Sequence, residues 1–134
     1  MIAVRQKDIR AECFQQGIQT LQELSKKGTP IVVEGVKDLT ALTRLGLNGP
    51  IHVLAGHGLV SFADKLSQYD EVLILFDFDR RGNQLTYQLT ELLQGYGVTI
   101  LQDIRRKLRK AFSWRVRVIE GLKPIDDSPK ATKL

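Results

Sequence analysis

Two carboxylates one residue apart, Asp77 and Asp79, follow an apolar run in "VLILFDFDRRG" at residues 72–82. Residues two apart on a strand face the same way, so these like charges oppose each other. A third acid, Glu34, ends a β-branched run, "PIVVEG" at 30–35. If the two runs are neighbouring parallel strands, all three acids leave the same edge of the sheet. A hard divalent cation relieves that crowding. Magnesium takes oxygen ligands, keeps several waters, and is held by one or two carboxylates plus phosphate oxygens. The chemistry expected of Glu34, Asp77 and Asp79 is therefore a magnesium site, with manganese as the related ion, able to grip a phosphate. Plainer roles stand beside it. Asp79 precedes "RRGNQL" and is placed to cap a helix, and Glu34 could pair with Lys37 or an arginine.

The elements needed to position these acids are legible in the pattern. Ile9, Cys13, Ile18, Leu21 and Leu24 recur at helical spacing, and Gly28 and Pro30 stop the run. Strand signals follow at "PIVVEG", "IHVLAGHG", "EVLILFDFD" and "VTIL". Helix signals lie between and after them at "DLTALTRLGL", "LVSFADKLSQY", "NQLTYQLTELLQGYG" and "IRRKLRKAF". Alternating strand and helix calls for a parallel sheet covered on both faces, with a ligand site beyond the carboxyl ends of its strands. Residues 114–122 suit either strand or helix, and the tail from Lys123 reads as partly disordered.

Composition narrows the class. The chain has 134 residues, enough for one domain with a real core. Its single cysteine, Cys13, excludes an internal disulfide and a four-cysteine zinc site, and its spacing suggests a small buried side chain. No apolar run reaches the roughly 18 residues of a membrane span, and residues 1–13 lack a secretory signal's apolar core. A cytoplasmic protein without membrane partners is expected. Residues 1–102 carry a net charge of −1 and residues 103–134 a net of +6. Such a concentrated basic segment suits nucleic acid, though a solvated helix face is the alternative. Within it, Arg105, Arg106, Lys107, Arg109 and Lys110 are candidates to grip a phosphate backbone. Phe112 and Trp114 adjoin them, as core or as stacking surfaces.

Taken together, "VVEGVKD" at 32–38 and "ILFDFDRRG" at 74–82 resemble the Toprim domain. This module is shared by topoisomerases, bacterial-type primases, the maturase ribonuclease of 5S rRNA and OLD-type nucleases. The resemblance covers residues 30–102. It implies a Rossmann-like α/β fold with a four-stranded parallel central sheet and helices on both faces. It also implies magnesium-dependent making or breaking of phosphodiester bonds. By resemblance, Glu34 is the general acid/base and a further metal ligand, Asp77 and Asp79 are the metal pair, and Gly35 and Gly82 are turn glycines. Lys37 and Asp38 resemble the surroundings of the glutamate in the primase and maturase branches. "LAGHG" at 54–58 resembles a turn that brings a histidine, here His57, toward the site. Topoisomerases carry a third acid where this chain has Arg81, which leans the reading toward the primase, maturase and small stand-alone branches.

Three segments are expected: an N-terminal helix (1–29), the Toprim core (30–102), and a basic C-terminal extension and tail (103–134). Arg80 and Arg81 would sit at a helix N-terminus, where guanidinium forks suit phosphate. Two functions stay open. One is a magnesium-dependent nuclease or nucleotidyl-transfer enzyme acting on DNA or RNA. The other is a non-catalytic nucleic-acid-binding or accessory protein. Asp-x-Asp also resembles haloacid-dehalogenase-type phosphatases, but there the motif lies in the first strand and the place of Arg81 holds Thr or Val. No P-loop or dinucleotide fingerprint is present.

Overall fold

The computed structural model describes residues 6–112 and 119–123. A long helix α1 (Gln6–Lys27) leads into β1 (Ile31–Val33). The chain then alternates through α2 (Val36–Arg44), β2 (Ile51–Val53), α3 (Leu59–Leu66), β3 (Glu71–Ile74), α4 (Arg80–Gly95) and β4 (Thr99–Ile100). It closes with α5 (Gln102–Phe112) and a single 3₁₀ turn, Ile119–Gly121. All strand pairs are parallel, in the order β2-β1-β3-β4. The expected α/β architecture is thus present, a Rossmann-like four-stranded parallel sheet. Trp114, Val116 and Val118 lie outside the described residues, as does the chain after Lys123.

The apolar pattern divides over the two faces of the sheet. Ile31, Val33, Leu73 and Leu75 pack with α1, α2 and α5 through Phe14, Ile18, Leu21, Leu42, Leu108 and Phe112. Val32, Val72, Ile74 and Phe76 pack with α3 and α4 through Phe62, Leu66, Leu89 and Leu93. Burial of each such side chain contributes about 1.5–3 kcal/mol. Phe112 is fully buried, its ring edge-on to Phe14 at 5.1 Å, so it belongs to the core and is no stacking surface.

Three expectations need correction. Cys13 is exposed, not buried. The stripe of α1 that meets the sheet runs Phe14, Ile18, Leu21, Leu24, which puts Cys13 and Ile9 a step around the helix. The third strand is also shorter than its apolar run. Its ladder closes with the Leu75 amide donating to the Val32 carbonyl, 2.7 Å, and the chain then turns into α4. Consequently Asp77 and Asp79 do not keep a strand's alternation. Phe76 packs in one core layer and Phe78 in the other, although they are two residues apart. Finally, α2 starts at Val36, ahead of the expected Asp38, because Asp38 reaches back to bond the Gly35 amide, 3.0 Å.

Gly28 ends α1 at a φ of 91°, a left-handed conformation that glycine adopts without steric cost. Its amide and that of Thr29 bond back to Ser25 and Leu24, which aims the chain into β1.

Candidate active site at the carboxyl edge of the sheet

Strand order reverses between β1 and β3, since β1 feeds β2 on one side and β3 lies on the other. In an open α/β sheet the ligand crevice lies beyond the carboxyl ends at such a point. Glu34 leaves β1 there, and Asp77 and Asp79 follow β3. Glu34 Oε1 accepts the Asp77 backbone N–H at 3.0 Å, across 43 residues of sequence. The first acid therefore meets the backbone of Asp77 at this rim.

Each carboxylate is held by its neighbours. Glu34, its side chain 12% exposed, also accepts from Arg81 Nη1 through Oε2, 2.7 Å. Asp77 Oδ1 accepts the Ile119 N–H, 2.7 Å, from the 3₁₀ turn that returns over this edge. Asp79 is the N-cap of α4, its Oδ1 accepting from the Gly82 amide at 2.7 Å. Both of the roles weighed for Asp79 and Glu34, cap and arginine partner, are thus present in the geometry. Asp77 Oδ2 and Asp79 Oδ2 accept no hydrogen bond from the described residues.

The electrostatics record the crowding. Burial pushes the Asp77 carboxyl above the usual range, opposed by the Ile119 bond and reinforced by Glu34, Asp38 and Asp79. Asp38 is raised in the same way, first by burial, with Glu34 and Glu120 adding to it. Four acids and Glu120 thus share one field. Oxygen-only donors of this kind suit magnesium. Among the described residues no three His, Cys, Asp or Glu side chains form a ready protein cage. Magnesium does not require one, because waters and a substrate phosphate complete its shell around one or two carboxylates. Asp77 and Asp79, each with an oxygen to spare, are the residues that fit it.

Gly82 explains the spacing of the second motif. A Cβ at this position would overlap the Asp77 backbone carbonyl, so only glycine lets the first turn of α4 lie on the chain that carries the acid. Gly35 is different: its backbone is extended (φ −138°) and a Cβ there would meet nothing closer than 3.8 Å.

The basic candidates separate. Arg81 is joined to Glu34, while its side chain stays 77% exposed. Arg80 is exposed beside Asp79. Lys37 is exposed on the first turn of α2. His57 is exposed in the turn after β2, its ring 5.9 Å from that of Phe62, and it makes no contact with the acids among the described residues. Arg106 pairs with Asp103 at 2.6 Å, and Arg109 is exposed.

Arg105 corrects the sequence reading. It is only 9% exposed and its guanidinium points inward. It donates to the carbonyls of Phe76 (2.9 Å), Asp77 (3.3 Å) and Ile74 (3.4 Å) and to Asn83 Oδ1 (3.1 Å), and lies over the Phe78 ring at 4.9 Å. Burial, then the neighbouring Arg109, lower its pKa to about 10, so it stays cationic at neutral pH. Its four Nη hydrogen bonds hold the end of β3 and the residues after it, and its burial keeps it from the surface where a phosphate backbone would lie. The signal was in the spacing: Arg105, Leu108 and Phe112 form the buried stripe of α5. The Ile119 amide was beyond reach of sequence reasoning, because a backbone donor has no residue signature.

Comparison with known proteins agrees with this architecture. Residues 28–102 match the Toprim domain family. A UPF0292 protein of Methanosarcina acetivorans is 35% identical over 114 residues, covering 84% of this chain and 79% of its own. A UPF0292 protein of Pyrococcus horikoshii is 38% identical over 92 residues, covering 69% of this chain and 70% of its own. Among solved structures, a putative protein from Aquifex aeolicus superposes with a TM-score of 0.69 at 28% identity, covering 81% of this chain and 96% of that one. No helix among the described residues is long and apolar enough to cross a membrane. Toprim domains in general bind magnesium and work on nucleic acids. With both motifs in register on the expected sheet, this chain belongs to the Toprim domain family.

Proposed function

We propose that this protein is a magnesium-dependent enzyme acting on nucleic-acid phosphodiester bonds, by hydrolysis or nucleotidyl transfer. The observation that carries the reading is the contact of Glu34 with the Asp77 amide at the β1/β3 crevice, beside two aspartates with uncommitted oxygens. Bound there, magnesium would supply charge neutralisation for a phosphate and its transition state. Asp77 and Asp79 would hold it.

Glu34 takes the proton of the attacking hydroxyl as oxygen bonds to phosphorus and the opposite P–O bond breaks toward the leaving oxygen. That role requires a carboxylate oxygen that Arg81 now occupies. Arg81 is well exposed and tethered at one end, so an arriving phosphate draws its guanidinium away and uncovers Glu34 Oε2. Arg80, beside Asp79, adds a second phosphate contact.

Glu34→Gln and Asp77→Asn, each checked for folding, test this on a panel of DNA and RNA substrates with magnesium and with manganese. The reading expects turnover by the wild type and its loss in both variants; turnover that survives both removes this mechanism. A non-catalytic binding role is the second reading. It is favoured by the Glu34–Arg81 pair, which neutralises the acid the chemistry needs. Its signature is nucleic-acid binding that is equal in chelator and in magnesium, without cleavage.

A further inference from the structure

A groove next to the acidic rim has walls built for a ligand of its own. One wall is a stripe of α4 containing Asn83 and Tyr87, and the other is a stripe of α5 containing Gln102, Arg106 and Arg109. The last residues of β3 and β4 form the floor, and the groove's volume is about 320 Å³. That lies within the range of pockets that hold small organic groups. A second hollow, lined by Asp79 and Arg80, shares Asn83 and Tyr87 with the first. One continuous path therefore leads from Asp79, past the Tyr87 ring, to two guanidinium groups.

The chemistry along that path is specific. Tyr87 is 66% exposed, so its ring is open to solvent on the surface of α4. Arg109 has no carboxylate within 4.0 Å among the described residues. Arg106 has only the exposed Asp103, and pairs of that kind contribute little and yield readily. The buried cation of Arg105 lies on the same wall, so the α5 side of the groove is positive. An aromatic ring followed by two exposed guanidiniums matches a nucleotide strand, with a base on the ring and phosphates on the forks. A duplex has no free base face to offer the ring.

We propose that this groove binds a single strand of nucleic acid running from the acidic rim, with a base stacked on Tyr87 and backbone phosphates on Arg106 and Arg109. The proposal rests on the nucleic-acid reading above and adds the form of the substrate and the path of its flank.

The test is fluorescence anisotropy of end-labelled oligothymidylate and oligouridylate with the full chain, in chelator, across a salt series. Binding of either strand supports the proposal when three results accompany it. Tyr87→Ala weakens it about tenfold, and Tyr87→Phe restores it. The double variant Arg106→Gln/Arg109→Gln makes the salt dependence shallower by about 1.4 in the log–log slope, ~0.7 for each phosphate left without its cation. The altered side chains are all exposed, so folding is preserved. Absence of binding, variants that bind like wild type, or a duplex bound as tightly with the same dependence on these residues overturns it. Chelator separates the two readings. Groove-dependent binding without magnesium turnover keeps the groove and removes the nuclease, whereas turnover indifferent to Tyr87, Arg106 and Arg109 does the reverse.

Discussion

Replacement of Arg105 by methionine should destabilise the fold severely, although arginine in a basic segment looks expendable. Two of its hydrogen bonds are short, to the Phe76 carbonyl at 2.9 Å and to Asn83 at 3.1 Å. Bonds from a charged donor contribute about 1.5–3 kcal/mol each. Those to Asp77 and Ile74 are longer, at 3.3 and 3.4 Å, and contribute less. The Phe78 face adds about 1–2 kcal/mol of cation–π attraction. Against this stands the cost of dehydrating the guanidinium, several kcal/mol, which the methionine variant recovers. The net loss is about 3 kcal/mol, mostly from the carbonyls at and just after the end of β3 left buried without donors. A domain of this size has roughly 5–15 kcal/mol in all, so the melting midpoint should fall by about 10 °C. Lysine should be intermediate, because its three donors cannot span the same fork. Urea unfolding of wild type, Arg105→Met and Arg105→Lys without metal measures this. A methionine variant within about 1 kcal/mol of wild type would refute it, since it would mean that water already satisfies those carbonyls.

Four further outcomes follow from the acidic rim. Asp77 binds its proton more tightly folded than unfolded, so its contribution to stability falls as pH rises through and above the ordinary carboxylate range. Asp77→Asn should therefore melt higher than wild type in chelator at neutral pH, with the advantage vanishing in acid. Magnesium should raise the wild-type midpoint and leave that of Asp77→Asn unchanged. For Asp79 the cap and the charge can be separated: Asp79→Ala should lose about 1 kcal/mol by urea unfolding, while Asp79→Asn keeps stability and loses magnesium affinity by calorimetry. Gly82→Ala should cost about 1–3 kcal/mol through overlap with the Asp77 carbonyl, and its metal affinity should fall with it, by the same two measurements.

Much of the scaffold was readable because strands and helices announce themselves by period and by their stops. "PIVVEG" and "EVLILFDFD" marked β1 and β3, and their shared carboxyl edge put Glu34 beside Asp77. The reading failed where packing overrode local pattern. The apolar run through Phe78 looked like strand, but the chain leaves the ladder after Leu75. Phe76 and Phe78 then serve different core layers, so spacing in sequence no longer fixed which way Asp77 and Asp79 face. Charge alone assigns Arg105 to the surface, when its place on the stripe of Leu108 and Phe112 should decide. Composition says what a residue prefers; helical phase says where it must go.

The return of the chain at Ile119 has a consequence for anyone who would move this site elsewhere. The stretch matching the family ends at residue 102, yet Arg105 and the Ile119 amide, which secure β3 and Asp77, both come after it. A graft of the recognisable segment alone would carry every signature residue and leave behind the struts that aim them. The Ile119 strut also tolerates drift: almost any residue with an apolar side chain supplies that backbone N–H, and proline alone cannot. Kinship measured on the signatures will therefore miss one of the bonds on which the rim depends.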